Sequence, residues 1–155
     1  MTDIEFRAVE PDQVDAVWFM QQYFTELESR FARGFDMAGA HALDIDAMRS
    51  PDGQFLVAYF QNKPVACGGI RPLGAHTGEI KRMWLDTSVR GRGLGRQLLQ
   101  ALESSAVAYG HRVLRLDTNE TLVEAIALYK SSGYVAIDRY NDDPNPTHFF
   151  EKLLT

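Results

Sequence analysis

An α/β domain is expected here: a mixed, mostly antiparallel sheet of about six to seven strands with helices on both faces. Three observations lead there. Short runs such as "IEFRAV", "FLVAYF" and "HFFEKLL" alternate or are continuously apolar, as strands are. Longer stretches, most clearly "LGRQLLQALESSAVAYG", repeat apolar residues at helical spacing. The two kinds follow one another in the order β-α-α-β-β-β-α-β-α-β-β, and the strand-helix-strand unit over 79–117 requires a parallel pair with a right-handed crossover.

Taken in order, "IEFRAV" is a strand and Pro11 opens a helix, a position proline tolerates. Val14, Val17, Trp18, Tyr23, Phe24, Leu27 and Phe31 give that helix its apolar spacing, and Gly34 breaks it. A second, shorter helix is read over "AHALDIDAMRS". "FLVAYF" and "PVACGGIRPL" flank the turn "QNK" as a hairpin. "EIKRMWL" is the next strand. The helix after it carries Leu94, Leu98, Leu99, Leu102 and Val107 on one stripe and stops at Gly110. "RVLRLDT" is a strand, "TLVEAIALYKSSG" a helix, and "YVAIDRY" and "HFFEKLL" are the closing strands.

The length, 155 residues, suits one domain spanning 1–155 that buries roughly 70% of its unfolded surface. The net charge of −5 argues against a nucleic-acid binder. Cys67 is the only cysteine, so no intrachain disulfide forms, and in "PVACGGI" it reads as a small core residue. "MTDIEFRAVEP" lacks the pattern of a signal peptide, and no apolar run approaches the ~20 residues of a membrane span. A cytoplasmic protein with no membrane partner is expected. No metal-ligand spacing appears, so no metal is expected.

The segment "VRGRGLGRQLL" concentrates glycine and arginine between a strand and a helix. Helix N-termini expose unpaired N–H groups, and glycine lets a ligand approach the backbone, so the segment is an anion site of the kind phosphate occupies. Lys81, Arg82, Arg90, Arg92 and Arg96 against Glu79 and Asp86 make the region +3 within an acidic chain, a local field suited to a small polyphosphate. The spacing fits neither a P-loop nor a dinucleotide fingerprint.

Arg90-x-x-Gly93-x-Gly95 resembles the acyl-CoA pyrophosphate loop of the GCN5-related N-acetyltransferases, whose pattern is Gln/Arg-x-x-Gly-x-Gly/Ala. "EIKRMWLD" resembles that family's fourth strand, and "LDTNETLVEAIALYKSSGYV" its fifth strand, Asn-bearing loop, helix with a late tyrosine and start of the sixth strand. The similarity is strong over 79–135 and weak before 50. It implies transfer of an acetyl group from acetyl-CoA to an amine, with the backbone of Arg90, Gly91, Arg92, Gly93, Leu94, Gly95 and Arg96 meeting the diphosphate.

The resemblance also assigns roles. A primary amine near pKa 10.4 is almost wholly charged at neutral pH, so its proton must leave. Glu79 is the expected general base, directly or through water, on the face that period-two alternation gives to Glu79, Met83 and Leu85. The Met83 amide would meet the thioester oxygen, and the backbone at Trp84 and Leu85 the pantetheine arm. Tyr129 would protonate the departing thiolate, and Asn119 would bond the pantetheine arm or else cap a helix. His76 and His148 flank the region; a lone histidine is more often structural.

The acceptor pocket is expected from 23–35, 76–78 and 140–148, where Glu26, Glu28, Asp36, Asp142 and Asp143 favour a cationic amine. A small-molecule acceptor is favoured over a protein N-terminus or lysine, and a homodimer stays open. The rival readings are a non-catalytic acyl-CoA-binding regulatory module, against which the presence of both Glu79 and Tyr129 speaks, and a nucleic-acid-binding domain.

Overall fold

A computed structural model describes residues 1–31 and 45–154. Its centre is a seven-stranded sheet of order β1-β2-β3-β4-β5-β7-β6, formed by β1 (Ile4–Val9), β2 (Gln54–Phe60), β3 (Lys63–Pro72), β4 (Thr77–Leu85), β5 (Val113–Thr118), β6 (Val135–Ala136) and β7 (His148–Leu153). Every neighbouring pair is antiparallel except β4 and β5. Among the described residues three α-helices accompany it: α1 (Val14–Arg30), α2 (Leu94–Ala108) and α3 (Val123–Ser131). The expected mixed sheet with helices on both faces is therefore what the chain forms.

The core has two layers, one on each face. Under α2 and α3 lie Leu56, Ala58, Ala66, Ile70, Ile80, Leu98, Leu102, Leu114, Leu116 and Phe150. Under α1 lie Phe19, Met20, Phe24, Phe55, Val57, Cys67 and Trp84. Strand β2 contributes to both, Leu56 and Ala58 to one and Phe55 and Val57 to the other, which is why "FLVAYF" is apolar throughout. The β2–β3 turn is Gln61-Asn62, both at positive φ, as a two-residue hairpin with right-twisted strands requires.

Several expectations shift in detail. Pro11 sits in a turn ahead of α1, and Gln13 caps the helix, its Oε1 accepting from the amides of Asp15 and Ala16 at 2.8 and 3.3 Å. The buried stripe of α1 is Ala16, Phe19, Met20, Phe24 and Leu27, whereas Val14 and Trp18 are largely exposed. The helix is rotated from the expected phase so that Phe19 and Met20 pack with Phe55, Val57 and Trp84 of the sheet. Val107 of α2 is likewise exposed, and Ala106 takes its place in the core. Of the second helix read over 40–50, residues 40–44 lie outside the described residues; the remainder holds a single 3-10 turn, Asp46–Met48. "YVAIDRY" keeps only two strand residues, because after Ile137, whose amide donates to the Phe149 carbonyl at 2.8 Å, the chain leaves the edge.

Phe19 is fully buried, 5.8 Å from Trp84 between ring centroids. Phe19→Ala is expected to cost about 3–5 kcal/mol and lower the melting temperature by roughly 10 °C, as read by thermal denaturation. A loss under ~1 kcal/mol would mean that α1 is not held to the sheet through this ring.

Candidate active site

The parallel pair β4–β5 is joined over only three residue pairs, Thr77 to Glu79 against Val113 to Arg115, and then the strands part. Beyond Glu79 the β4 edge has no strand beside it on that side. A cavity of about 570 Å³ occupies the gap. Its walls come from both faces of the sheet: Tyr23 and Phe24 of α1 and Asp117 of β5 on one side, Met83, Leu116 and Tyr129 on the other. A molecule in it therefore passes through the sheet.

Strand β4 is bulged. Cys67 faces Trp84 and Gly69 faces Lys81, so three steps on β4 match two on β3, and Arg82 takes φ +58° to absorb the extra residue. The bulge reverses the alternation and corrects the expected shared face. Ile80, Met83 and Leu85 pack on the α2–α3 layer, while Glu79, opposite Arg71, lies on the α1 side with Trp84.

Glu79 is fully buried. Its Oε1 accepts from Arg71 Nε at 2.6 Å, with Lys81 Nζ at 3.7 Å, and its Oε2 accepts from the Tyr140 hydroxyl at 2.6 Å. Burial raises the Tyr140 phenol, and the Glu79 charge raises it further, so this proton stays on Tyr140 at neutral pH. Tyr140 is itself half-buried. The relevant signal in the sequence would have been an aromatic hydroxyl after the sixth strand, which no local pattern ties to residue 79.

Tyr129 lines the cavity near the end of α3, packed at 5.9 Å from the Tyr134 ring and 6.2 Å from the Phe150 ring. Among the described residues its hydroxyl has only the Met83 thioether, at 4.0 Å, as acceptor. Burial raises this phenol too. A protonated hydroxyl with so weak an acceptor has its hydrogen to offer to whatever enters.

The glycine-arginine loop follows a 3-10 turn, Thr87–Val89, capped by Asp86, whose carboxylate accepts from the Ser88 amide at 3.1 Å and from the Ser88 hydroxyl. Gly91 and Gly93 hold φ +76° and +83°, which side chains disfavour. Gly95 serves by its size, since a Cβ there would meet Leu128 at 3.1 Å. The first helical-ladder bond comes from the Gln97 amide to Gly93 O at 3.3 Å; the amides of 91–96 make no hydrogen bond among the described residues. Six N–H groups at a helix start form a cradle that fits a diphosphate.

The three arginines differ. Arg90 is turned inward: Nε donates to Leu85 O at 3.0 Å and Nη2 to Glu26 at 2.6 Å. Glu26 also accepts from Trp84 Nε1 at 2.9 Å and pairs with Arg30 at 2.9 Å. Its burial is outweighed by these donors, and its carboxyl is held low. Arg90 thus fastens the loop to α1, and Glu26 belongs to this brace rather than to the acceptor pocket. Arg96 bonds Ser131 and Ser132 at 2.8 and 3.0 Å, bracing α2 to α3. Arg92 is exposed, without an ion pair among the described residues.

Asn119 lines the cavity, and both of its amide atoms are engaged: Nδ2 donates to Asn145 O at 2.7 Å, and Oδ1 accepts from the Thr121 amide at 2.9 Å. His76 is remote from the cavity, its Nδ1 3.4 Å from Gly110 O at the far end of β4, so 76–78 leave the expected pocket. His148 stacks on Phe150. Residues 141 and 143–146 do line the cavity. Its charged lining among the described residues is Arg71, Lys81 and Arg82 with Asp117 and Asp143, so it is mixed in sign where an acidic pocket was expected; residues 32–35 and Asp36 lie outside the described residues. Cys67 is fully buried, its thiol donating to Arg82 O at 3.2 Å and pushed up by burial. Among the described residues no group of three metal-ligating side chains occurs, and no helix is long and apolar enough to cross a membrane.

Comparisons with known proteins agree with this architecture. The model of the acetyltransferase (GNAT) family matches residues 18–134. An IAA acetyltransferase of Azospirillum brasilense is 34% identical over 139 residues, covering 86% of this chain and 89% of its own. A GNAT-family acetyltransferase of Staphylococcus aureus superposes with a TM-score of 0.82 at 17% identity, over 97% of this chain and 100% of its own. Another from Elizabethkingia anophelis, solved with acetyl-CoA bound, gives 0.69 at 16% identity, over 99% of this chain and 100% of its own. With a parted β4–β5 pair, an open amide cradle and a family match across both, the chain belongs to the GNAT family of acetyltransferases and is an acetyl-CoA-dependent acyltransferase.

Proposed function

We propose that the protein moves the acetyl group of acetyl-CoA directly to the primary amine of a small molecule, with Tyr129 as general acid and Glu79 as a base that works through the Tyr140 hydroxyl. The observation that carries this reading is the cavity through the sheet, lined by the weakly accepted Tyr129 hydroxyl and by Asn141, the chain neighbour of the Tyr140 that donates to Glu79. The amides of 91–96 bind the diphosphate, helped by Arg92. The Met83 amide, at the bulge, polarises the acyl oxygen, and the strandless β4 edge at Trp84 and Leu85 pairs with the pantetheine arm. Asn119, with both amide atoms engaged, shapes the wall by holding the 141–146 loop.

The nitrogen loses a proton toward Tyr140, whose own proton shifts to Glu79, and the departing sulfur takes the Tyr129 proton. A base of this kind is worth about 10²–10⁴-fold. Tyr129→Phe is expected to lower kcat about 10²-fold, leaving the calorimetric affinity for acetyl-CoA and the melting temperature unchanged. Equal loss of affinity and rate would make Tyr129 a wall residue only. The reading as a whole is tested by calorimetry with acetyl-CoA, followed by thiol release over a panel of primary amines. A protein that binds acetyl-CoA and acetylates none of them would be the regulatory module instead.

A further inference from the structure

Turning an ammonium into an amide removes two protons from one nitrogen: one before its electron pair can attack, and one as the new C–N bond is completed. The Glu79–Tyr140 pair accounts for one. A second carboxylate lines the cavity itself, where neither Glu79 nor Tyr140 is among the lining residues. Asp117 lies two residues beyond Arg115, the last β5 residue paired with β4, and lines the cavity on the face opposite the Leu114 and Leu116 layer. Asn141 Nδ2 donates to its Oδ2 at 2.7 Å and fixes the group in place. Among the described residues nothing donates to Oδ1, and Asp117 is only half-buried. Glu79, by contrast, is wholly buried with both oxygens engaged.

We propose that Asp117 is a catalytic residue: its Oδ1 receives the acceptor's ammonium and takes the first proton. This rests on the amine-acetylating reading above. The N–H bond breaks with its pair left on nitrogen, and an O–H bond forms at Oδ1. That pair makes the C–N bond to the acyl carbon while the C–S bond breaks. The second nitrogen proton leaves through Tyr140 to Glu79. Tyr129 protonates the sulfur and regains its proton from these carboxylic acids; one proton goes net to water.

The surroundings suit the role. Burial raises the Asp117 carboxyl, Lys81 and Asn141 pull it down, and Glu79 and Asp143 push it up; the net direction is upward, toward a stronger base. Tyr23 of α1, Tyr129 of α3 and Tyr140 also feel its charge. Because folding raises this pKa, Asp117 adds stability below its unfolded pKa and loses that contribution as pH rises through its folded value. Asp117→Asn should therefore gain stability relative to the native chain at pH 8 compared with pH 4, an effect opposite to that of a structural carboxylate.

The test uses the full chain with phenethylamine and L-phenylalanine as probe acceptors. Asp117→Asn should lower kcat/KM about 10²-fold or more and remove the acid limb of its pH profile. Acetyl-CoA affinity should stay within twofold, and Asp117→Glu should recover part of the limb. In parallel, carboxyl-carbon NMR of aspartate-labelled protein, with Asp117 assigned from the variants, should show a raised midpoint that falls when phenethylammonium is added. An Asp117→Asn enzyme that keeps its acid limb and its rate within threefold overturns the proposal. If neither probe is acetylated although acetyl-CoA binds, the amine reading fails for these probes and the NMR titration decides for Asp117: an ordinary midpoint, unmoved by phenethylammonium, refutes it.

Discussion

Gly93→Asp is expected to abolish acetyl-CoA binding and leave a folded protein. Gly93 holds φ +83°, and a Cβ there would meet nothing nearer than the Met1 nitrogen at 3.9 Å. Aspartate is among the few residues that tolerate the left-handed region, at a cost of about 1–2 kcal/mol. The loop accepts the substitution, but the carboxylate then stands where the amides of 91–96 are proposed to meet a diphosphate. At an effective dielectric near 20, one charge about 5 Å from another repels it by about 3 kcal/mol, or roughly 10²-fold in affinity for each phosphate charge so placed. Gly93→Asn has nearly the same shape without the charge and should keep most of the affinity. Calorimetry on the pair separates field from shape: equal loss in both would mean the backbone alone matters, and full retention in both would leave the cradle without a diphosphate.

Glu79→Gln is expected to damage both stability and rate. Its carboxylate has no exposed surface and compensates Arg71, with Lys81 nearby. Breaking a buried ion pair costs about 3–5 kcal/mol; Arg71 and Lys81 keep part of their hydration, so about 3 kcal/mol is expected, near 10 °C in melting temperature. Among molecules that remain folded, the proposed proton path predicts that kcat falls 10²–10⁴-fold, since Tyr140 then lacks the carboxylate that would draw its proton. Tyr140→Phe breaks the same path without stranding Arg71. It should reproduce the loss in rate with a much smaller loss in stability. A Tyr140→Phe enzyme at native rate would remove Glu79 from the proton path and leave it a structural anchor.

Much of this was legible along the chain. Strands β1 to β5 and β7, the helix after the glycine-arginine loop and the loop itself are local features: alternation, helical spacing, and glycines where the backbone needs positive φ or close approach. The phase of α1 was not, because its apolar residues cover more than half the helix and only the sheet decides which of them it covers. The bulge at Arg82 was not either, since nothing in "EIKRMWL" marks an inserted residue, and one such residue carried Glu79 to the opposite face from Met83. Tyr140 and Asn141 were expected only as part of the acceptor loop 140–148, and Asp117 was not singled out, because their partners lie 61 positions away for Tyr140 and 24 for the Asn141–Asp117 pair.

The chain by itself determined the order of the strands and of α1, α2 and α3, and the glycine loop at positive φ before α2, since each depends on neighbours within a few residues. Only the tertiary structure decided where β4 and β5 part, which carboxylate is sealed and which faces the cavity, and which arginine is left toward solution. Those outcomes depend on desolvation and on hydrogen-bond partners brought together from distant segments, and neither quantity exists until the sheet has formed.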